Sequence, residues 1–248
     1  MPDSVVAVHQ PDAGFLLAER AVAAYVRRAR AAGAVITTGE SVLDWTPTAG
    51  VVRVRTDRAS YEAGQLVLAA GAWMGRLMPR LAGHLEPERQ VLGWFGLARR
   101  DLFTPAAFPI FVLDAPEGLF YGFPEFGVPG LKLGKYHHRS ERVDPDAVDR
   151  TCGPDDEQVL REAVARYFPD ANGPLLDSTV CLFTNTSDGH FILGRHPEAP
   201  EVLVVSPCSG HGFKFSSVIG EIVADLVERG GTAHDISLFR LSRLESPG

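Results

Sequence analysis

The sequence is short of cysteine, of long apolar runs and of positive charge, and each shortage excludes a class of protein. Its three cysteines, Cys152, Cys181 and Cys208, form no CxxC pair, which argues against a zinc ribbon or a disulfide framework. No run approaches the roughly 20 apolar residues that a transmembrane helix requires. Residues 1–10 lack the basic and apolar pattern of a secretory signal. The net charge of −7 disfavours nucleic acid as a partner. We therefore expect a cytoplasmic protein that binds neither nucleic acid nor membrane.

A further absence concerns nucleotide and metal binding. Dinucleotide-binding units open with a GxGxxG turn and carry an acidic residue about 20 positions later. No such pattern occurs here, because Gly210 and Gly212 flank His211 without a third glycine. The adjacent His137 and His138 have no acidic cluster beside them, so no metal site is predicted.

What is present is the composition of a globular enzyme. Of the 248 residues, 45% are apolar and 22% are charged, enough for one large core or two interleaved lobes. Apolar residues at helical spacing predict helices, and short runs of branched and aromatic residues predict strands. The predicted helices are about Ala18–Ala32 with Gly33 as its cap, Trp73–Leu81, Pro154–Phe168 and Ser216–Arg229. The predicted strands are Ala34–Thr38, Val51–Arg55, Leu66–Ala70, Gln90–Leu97, Pro109–Asp114, Leu119–Phe123, Leu131–His137 and Glu201–Val205.

The order of these elements predicts a mixed α/β fold (α+β). The first and last parts of the chain alternate strands with helices, whereas the middle is typical of an antiparallel sheet. The run Leu66–Ala70 is apolar throughout, which is typical of a strand buried on both faces. We therefore predict one α/β lobe, residues 1–84 and 182–248, wrapped around an antiparallel substrate lobe, residues 85–181.

The run Ser209–Ser216 carries the strongest chemical signal. A predicted strand enters it, an amphipathic helix leaves it, and its two glycines let the backbone pass close to a ligand. The start of a helix presents free N–H groups and a positive dipole end, which favour an anion such as a reduced flavin ring. The alternative is a glycine turn that only joins strand to helix. Turn chemistry alone does not decide between the two interpretations.

This run resembles the C-terminal flavin-contacting loop of the monomeric sarcosine oxidase and N-methyltryptophan oxidase family, in the D-amino-acid oxidase superfamily. Three other segments resemble that family in the same order: Leu68–Trp73, then Tyr121–His137, then Cys181–Thr184. The joint order of four motifs is more specific than any one of them. The resemblance implies that the α/β lobe is an incomplete FAD-binding lobe of the Rossmann kind, interleaved with the substrate lobe.

The resemblance also implies which residues hold FAD. Cys181 would bond to the flavin covalently through its sulfur, the alternative being an ordinary buried cysteine. Cys152 and Cys208 have no comparable context. The other implied cofactor contacts are Gly71, Trp73, Gly210, His211 through its backbone, Gly212, Phe213 and Lys214.

Catalytic and substrate-binding roles follow from the same resemblance. Lys132 would lie over the flavin and stabilise negative charge as oxygen is reduced, the alternative being a strand lysine that faces water. Tyr121 and His137 would line the substrate pocket, but one extra residue after Lys132 leaves His138 as a competitor for the histidine role. Lys214 would bind the substrate carboxylate; the alternative is a lysine whose charge opposes the dipole at a helix start.

The implied reaction is oxidation of a small secondary amine or N-methyl amino acid by FAD and molecular oxygen. Its products would be an aldehyde, an amine and hydrogen peroxide. The family's first βαβ unit and its pyrophosphate loop would lie upstream of Met1. We therefore expect the chain alone to bind FAD weakly or not at all, or a partner chain to supply the GxGxxG unit. The alternative function is that of a non-catalytic remnant or partner subunit.

Overall fold

The computed structural model describes residues 5–48 and 50–244 of the chain. The α-helices in these residues are α1 (Ala18–Ala31), α2 (Met74–Leu77), α3 (Pro154–Tyr167) and α4 (Ser216–Arg229). The strands in these residues are β1 (Val42–Thr48), β2 (Val51–Thr56), β3 (Ser60–Ala63), β4 (Leu66–Leu68), β5 (Leu85–Phe95), β6 (Phe111–Ala115), β7 (Gly118–Phe123), β8 (Leu131–Lys135), β9 (Glu141–Arg142), β10 (Leu175–Thr186), β11 (Ile192–Arg195) and β12 (Val202–Ser206). Across the described residues, no helix has the length and apolarity needed to cross a bilayer.

The chain divides into two compact units. Unit 1 comprises Met1–Phe15 and Pro87–Phe183, and unit 2 comprises Leu16–Glu86 and Thr184–Gly248. The opening segment through Phe15 therefore belongs with the antiparallel unit, whereas the sequence grouped it with residues 16–84. The functional labels of the two lobes remain predictions.

Unit 1 is built on an antiparallel sheet in the order β10-β5-β8-β7-β6, with β9 also paired to β5. Side chains alternate along each strand, so the sheet has two distinct faces. One face belongs to the apolar core and is packed with α3. Its buried members include Val91, Phe95, Phe120, Leu131, Leu133, Leu160 and Val164. The opposite face carries residues of intermediate exposure, among them Trp94 and Lys132.

The first turn of helix α3 fixes where the helix begins, and its apolar face fixes how it packs. Pro154 stands in the first turn, where its missing N–H costs nothing, and acidic residues follow it, where they complement the helix dipole. The carboxylate of Asp156 accepts the N–H of Gly153 at 3.0 Å, which satisfies one of the free donors at this end. Leu160 and Val164 are buried on the side that packs against the sheet.

Unit 2 contains two small sheets. The first has the order β1-β2-β3 and is antiparallel. The second has the order β11-β12-β4, in which β12 runs parallel to β4 and antiparallel to β11. All residues of β12 are buried, and α4 packs its apolar stripe against Leu203 and Val205 of that strand. Helix α4 ends at Gly230, whose φ of +76° gives the left-handed cap.

Most of the predicted elements are confirmed, and the mixed α/β class with them. The helices α1, α3 and α4 begin within one residue of their predicted starts, and Gly33 has the expected positive φ of +91°. The middle of the chain is the expected antiparallel sheet. The sequence Thr48-Ala49-Gly50 also predicts a turn before the strand Val51–Arg55, and Ala49 lies outside the described residues.

Three local predictions are wrong. The segment Ala34–Thr38 forms no strand, because no described strand pairs with it, and Val35 is 91% exposed. The helix near Trp73–Leu81 is reduced to α2 flanked by 3-10 turns, because Pro79 lacks the N–H that a continuing α-helix needs. Strand β4 is not buried on both faces: it lies at the edge of its sheet, and Val67 is exposed.

Candidate functional site

The face of the unit 1 sheet that lies opposite its apolar core brings a lysine against aromatic rings. Lys132 on β8 stands opposite Trp94 on β5 and opposite Phe123 on β7, so the three side chains form one row. The Lys132 ammonium lies 4.9 Å from the centre of the Trp94 ring and 5.3 Å from that of Phe123. Cation–π attraction therefore holds the positive charge over the face of the sheet.

A second row on this face is formed by tyrosine and glycine. Tyr121 stands opposite Gly134 of β8, and its phenol passes directly over that glycine. A Cβ at Gly134 would come within 2.6 Å of the Tyr121 ring, so only glycine allows this placement. Tyr121 also makes an edge contact with Tyr136, at 5.3 Å between ring centres. Burial raises the pKa of the Tyr121 phenol above its ordinary value, so the group is a hydrogen-bond donor at neutral pH.

Cys181 belongs to the same neighbourhood. It lies on β10, two residues before Phe183, whose ring is 5.5 Å from that of Tyr136. Burial raises the pKa of the Cys181 thiol, while the positive charges of Lys132 and Arg150 act in the opposite direction. The charge of Lys132 therefore acts on Cys181, but burial outweighs it and favours the neutral thiol. Unit 1 thus brings Tyr121, Lys132 and Cys181 together.

The two adjacent histidines have different surroundings. The side chain of His138 is fully buried, and its Nε2 lies 3.2 Å from an Asp156 carboxylate oxygen. Burial lowers the pKa of His138, although Asp156 opposes that shift. The side chain of His137 is 58% exposed, and its Nδ1 lies 2.8 Å from Glu88 Oε2. Of these two histidines, His137 is the one whose ring a ligand can reach.

In unit 2, the loop Ser209–Ser216 follows β12 and leads into α4 through a 3-10 turn, Phe213–Phe215. Ser209 and Gly210 have positive φ values of +52° and +75°, which turn the chain sharply. Gly212 cannot carry a side chain, because its Cβ would lie 1.5 Å from the carbonyl oxygen of Pro207. The predicted succession of strand, glycine turn and helix is therefore present, and the 3-10 turn Phe213–Phe215 precedes the helix.

The polar side chains of this loop are held by the loop and its neighbours. The Lys214 ammonium donates to the backbone oxygen of His211 at 2.9 Å and lies 5.1 Å from the Phe215 ring centre. The His211 imidazole lies 3.1 Å from the Gly189 carbonyl oxygen and stacks at 5.0 Å on Phe191. The side chain of His211 is thus occupied within unit 2, and the role assigned to its backbone stays a prediction.

The other predicted cofactor contacts of unit 2 lie just after β4. Gly71 has a positive φ of +53° and opens the 3-10 turn Gly71–Trp73. The Trp73 indole is partly exposed, and its backbone N–H donates to the Ala70 oxygen at 3.0 Å. The structure therefore gives Gly71 the backbone conformation that glycine favours.

No sequence motif pointed to Glu88, Gln90 or Trp94, which lie on one face of β5. A signal was available, because residues two apart on a strand share a face. The predicted strand Gln90–Leu97 therefore already placed Gln90 and Trp94 on one side. What could not be foreseen is that β8 would stand beside β5 and bring Lys132 to that side.

Comparisons with known proteins identify the family. The sequence model of the FAD dependent oxidoreductase family matches residues 1–226. Monomeric sarcosine oxidase from Bacillus sp. (strain NS-129) is 41% identical over 98% of this chain and 64% of that protein. N-methyl-L-tryptophan oxidase from Salmonella enteritidis PT4 is 32% identical, with the same shares covered, 98% and 64%. The chain thus spans less than two thirds of the length of these relatives.

Solved structures give the same result. NikD, described as an unusual amino acid oxidase essential for nikkomycin biosynthesis, superposes with a TM-score of 0.71 at 26% identity, covering 88% of this chain and 58% of that one. Glycine oxidase from Geobacillus kaustophilus gives a TM-score of 0.70 at 27% identity, covering 91% and 57%. Because the family's sequence model extends over most of its residues, this chain belongs to the family of FAD dependent oxidoreductases.

Proposed function

We propose that this chain forms part of an FAD-dependent oxidase that acts on small secondary amines or N-methyl amino acids. The products would be an aldehyde, an amine and hydrogen peroxide, with molecular oxygen as the final oxidant. The observation that carries the proposal is the placement of Lys132 and Cys181 on one face of the unit 1 sheet, with aromatic rings around the lysine. The names of two relatives, sarcosine oxidase and N-methyl-L-tryptophan oxidase, support this substrate class.

The residues of this face suit a flavin. Its ring system is flat and largely apolar, and the rings of Trp94, Phe123 and Tyr121 provide a surface of the same character. Covalent attachment requires a thiolate; burial raises the pKa of the Cys181 thiol, and the charge of Lys132 offsets part of that shift. We assign Cys181 as the attachment residue. When bound, FAD supplies the two-electron acceptor that the side chains of this protein lack.

Lys132 is the residue we assign to the reaction with oxygen. Reduction of oxygen develops negative charge, and a fixed ammonium in a partly desolvated place stabilises that charge without reorganisation. The ammonium lies over the ring faces of Trp94 and Phe123, 4.9 Å and 5.3 Å from their centres, and these cation–π contacts fix its position. The charge is therefore oriented before the reaction begins.

The substrate is assigned to three side chains. Tyr121 donates its phenolic hydrogen, because its raised pKa keeps it protonated. His137 is assigned to the amine end, since His138 is buried and bonded to Asp156. Lys214 is assigned to the carboxylate. Binding a carboxylate would exchange its present hydrogen bond to the His211 oxygen for a charge-assisted one, which is the stronger type.

The test compares Lys132→Met with Lys135→Met in FAD-loaded protein. The two lysines belong to the same strand but to opposite faces, and the Lys135 ammonium lies 5.9 Å from the core ring of Phe120. Stopped-flow absorbance follows flavin reduction by an N-methyl amino acid without oxygen, and then reoxidation with oxygen. We expect Lys132→Met to slow reoxidation by about 100-fold or more, the scale of a lost charge-stabilising group, and to change reduction much less.

The control variant Lys135→Met should leave both half-reactions near the wild-type rates. Equal slowing of reduction and reoxidation by Lys132→Met would contradict the assigned role. Failure of every secondary amine to bleach the wild-type flavin would contradict the proposed activity itself.

A further inference from the structure

A chain of hydrogen bonds runs from the backbone of His138 to the ring of His137. The N–H of His138 donates to Gln90 Oε1 at 3.2 Å. The other end of that amide, Gln90 Nε2, donates to Glu88 Oε1 at 2.8 Å. The second oxygen of the same carboxylate, Glu88 Oε2, lies 2.8 Å from His137 Nδ1. All four residues belong to unit 1.

The first hydrogen bond of this series, donated by the backbone N–H of His138, fixes the direction of the next one. A backbone N–H can only donate, so the oxygen of the Gln90 amide must face His138. The nitrogen of the amide must then face Glu88, and a carboxylate only accepts. The remaining oxygen of Glu88 therefore requires a hydrogen on His137 Nδ1. The tautomer of an imidazole is set by its second nitrogen's partner, which here is a carboxylate.

The surroundings of this chain restrict it to one arrangement. Gln90 is fully buried and the Glu88 side chain is only 7% exposed, so water competes little for their hydrogen bonds. His137 itself has a φ of +52°, a backbone conformation uncommon outside glycine that sets the direction of its side chain. Among the described residues, no group makes a hydrogen bond to His137 Nε2, and the ring is 58% exposed.

The chain also belongs to the face that carries the candidate site. Glu88 and Gln90 lie two residues apart on β5, in the same series of alternate positions as Trp94, so they share its Lys132 side. Tyr136 links the two places, because its ring lies 5.3 Å from Tyr121 and 6.3 Å from His137. The series of hydrogen bonds therefore ends, at His137, beside the residues assigned to the substrate.

We infer that Glu88 and Gln90 are positioning residues that hold His137 as the Nδ1–H tautomer, so that Nε2 presents a lone pair to the substrate's amine hydrogen. This inference rests on the proposed function for the identity of the ligand, but not for the tautomer. An Nε2 lone pair selects a hydrogen-bond donor such as an N–H group. It cannot bind a carboxylate, which is the end of the substrate assigned to Lys214.

The first test reads the tautomer without any cofactor. Long-range ¹H–¹⁵N correlation spectra of histidine-labelled full chain distinguish the protonated from the bare ring nitrogen. His137→Asn identifies the signals of His137 among those of the eight histidines. At pH 8.5, above the ordinary imidazole pKa of about 6.5, wild-type protein should show hydrogen on Nδ1 and none on Nε2. A hydrogen on Nε2, alone or together with one on Nδ1, would overturn the inference.

The decisive variant is Glu88→Gln. Gln90 still donates toward the new side chain, so the new amide must turn its oxygen to Gln90 and its NH₂ to His137 Nδ1. His137 should then change to the Nε2–H tautomer. The control Glu141→Gln removes a carboxylate from strand β9, which pairs with β5, and should leave the tautomer unchanged. The same tautomer in Glu88→Gln as in wild type would overturn the inference, and the wild-type spectrum alone decides it if the variant does not fold.

A second measurement connects the tautomer to the substrate. In FAD-loaded protein, Glu88→Gln would reverse the tautomer of His137, so that its Nε2 becomes a hydrogen-bond donor instead of an acceptor. We expect KM for an N-methyl amino acid to rise about tenfold, the equivalent of one lost hydrogen bond, with a smaller change in kcat and an unchanged flavin spectrum. An unchanged KM despite a reversed tautomer would overturn the contact with the amine. Absence of turnover in wild type would instead contradict the proposed function and leave the tautomer result standing.

Discussion

Replacing Asp156 with Asn tests the buried charge cluster formed by Arg89, His138 and Asp156 in unit 1. Arg89 donates two hydrogen bonds to the Asp156 carboxylate, both 2.9 Å, and each side chain is only 4% exposed. His138 Nε2 lies 3.2 Å from the same carboxylate. The substitution keeps the shape of the side chain but removes the charge, so the Arg89 guanidinium loses its buried counter-charge and keeps the half-exposed carboxylate of Glu141, 3.7 Å away.

The expected loss of stability follows from this geometry. Breaking a buried ion pair by removing one partner costs about 3–5 kcal/mol, because the remaining charge is uncompensated. Burial alone would raise the pKa of Asp156, but hydrogen bonds from Arg89 and the Gly153 N–H outweigh it and lower the pKa from 3.8 to about 2. At about 1.4 kcal/mol per pKa unit, the ionised form contributes about 2–3 kcal/mol.

The sign of the pH dependence follows from the lowered pKa. The contribution is complete above pH 3.8, the ordinary pKa of the group, and is lost as the pH falls toward 2. The difference in unfolding free energy between wild type and Asp156→Asn should therefore shrink by about 1–2 kcal/mol between pH 6 and pH 2.5. Asn does not titrate, so the change reports Asp156 itself.

Urea unfolding followed by Trp94 fluorescence gives the measurement. The substitutions Trp45→Phe and Trp73→Phe remove the other two tryptophan signals, and Trp94 then reports on unit 1. Asp155→Asn is the matched control, because Asp155 stands in the same turn of α3 but is 82% exposed. It should cost less than about 1 kcal/mol, the range of an exposed charge at a helix end. A loss below about 1 kcal/mol in Asp156→Asn, or a difference from wild type that does not change with pH, would show that the ionised Asp156 does not stabilise the fold.

Three further predictions concern the candidate site. Cys181→Ser should release flavin on acid precipitation, whereas Cys208→Ser should retain it; release from wild type would contradict covalent attachment. Lys214→Ala should weaken binding of carboxylate substrates about 10- to 100-fold, the range of a lost charge-assisted hydrogen bond, and should barely affect amines without a carboxylate; equal losses would indicate a damaged loop. Gly212→Ala should destabilise the protein by about 1–3 kcal/mol or more, because its Cβ would meet the Pro207 oxygen. Gly220→Ala on the exposed side of α4 has open space and should stabilise it by about 0.5–1 kcal/mol. Urea unfolding distinguishes the two, and similar effects would contradict the steric argument.

The sequence predicted elements best where local signals were complete. Helix α4 has an uninterrupted apolar stripe and a glycine at its end, and both of its predicted bounds are confirmed. The run Ala34–Thr38 has the composition of a strand, but a strand exists only when another strand supplies its hydrogen bonds, and composition does not reveal that partner. Strand β10 was not predicted, because polar residues interrupt its apolar ones.

The candidate site shows a similar limit. Motif order located Lys132 and Cys181 separately, and the two-residue period placed Trp94 and Gln90 on one face. Their meeting depends on the strand order of the sheet, which arises from contacts between residues far apart in the chain. The different fates of His137 and His138 depend on where α3 places Asp156, and no local pattern contains that information.

The parallel pairing of β4 with β12 has a consequence for the order of folding. Val202 pairs with Leu66, so a separation of 136 residues must be closed before this sheet can form. Contacts this distant in sequence carry a large loop-closure entropy and slow the search for the native pairing. Residues 87–183 of unit 1 form one continuous stretch, and within it β5 lies beside β10. Early folding of that sheet would shorten the effective loop between β4 and β12. Variants that slow the folding of the six-stranded sheet should then also delay the burial of β12.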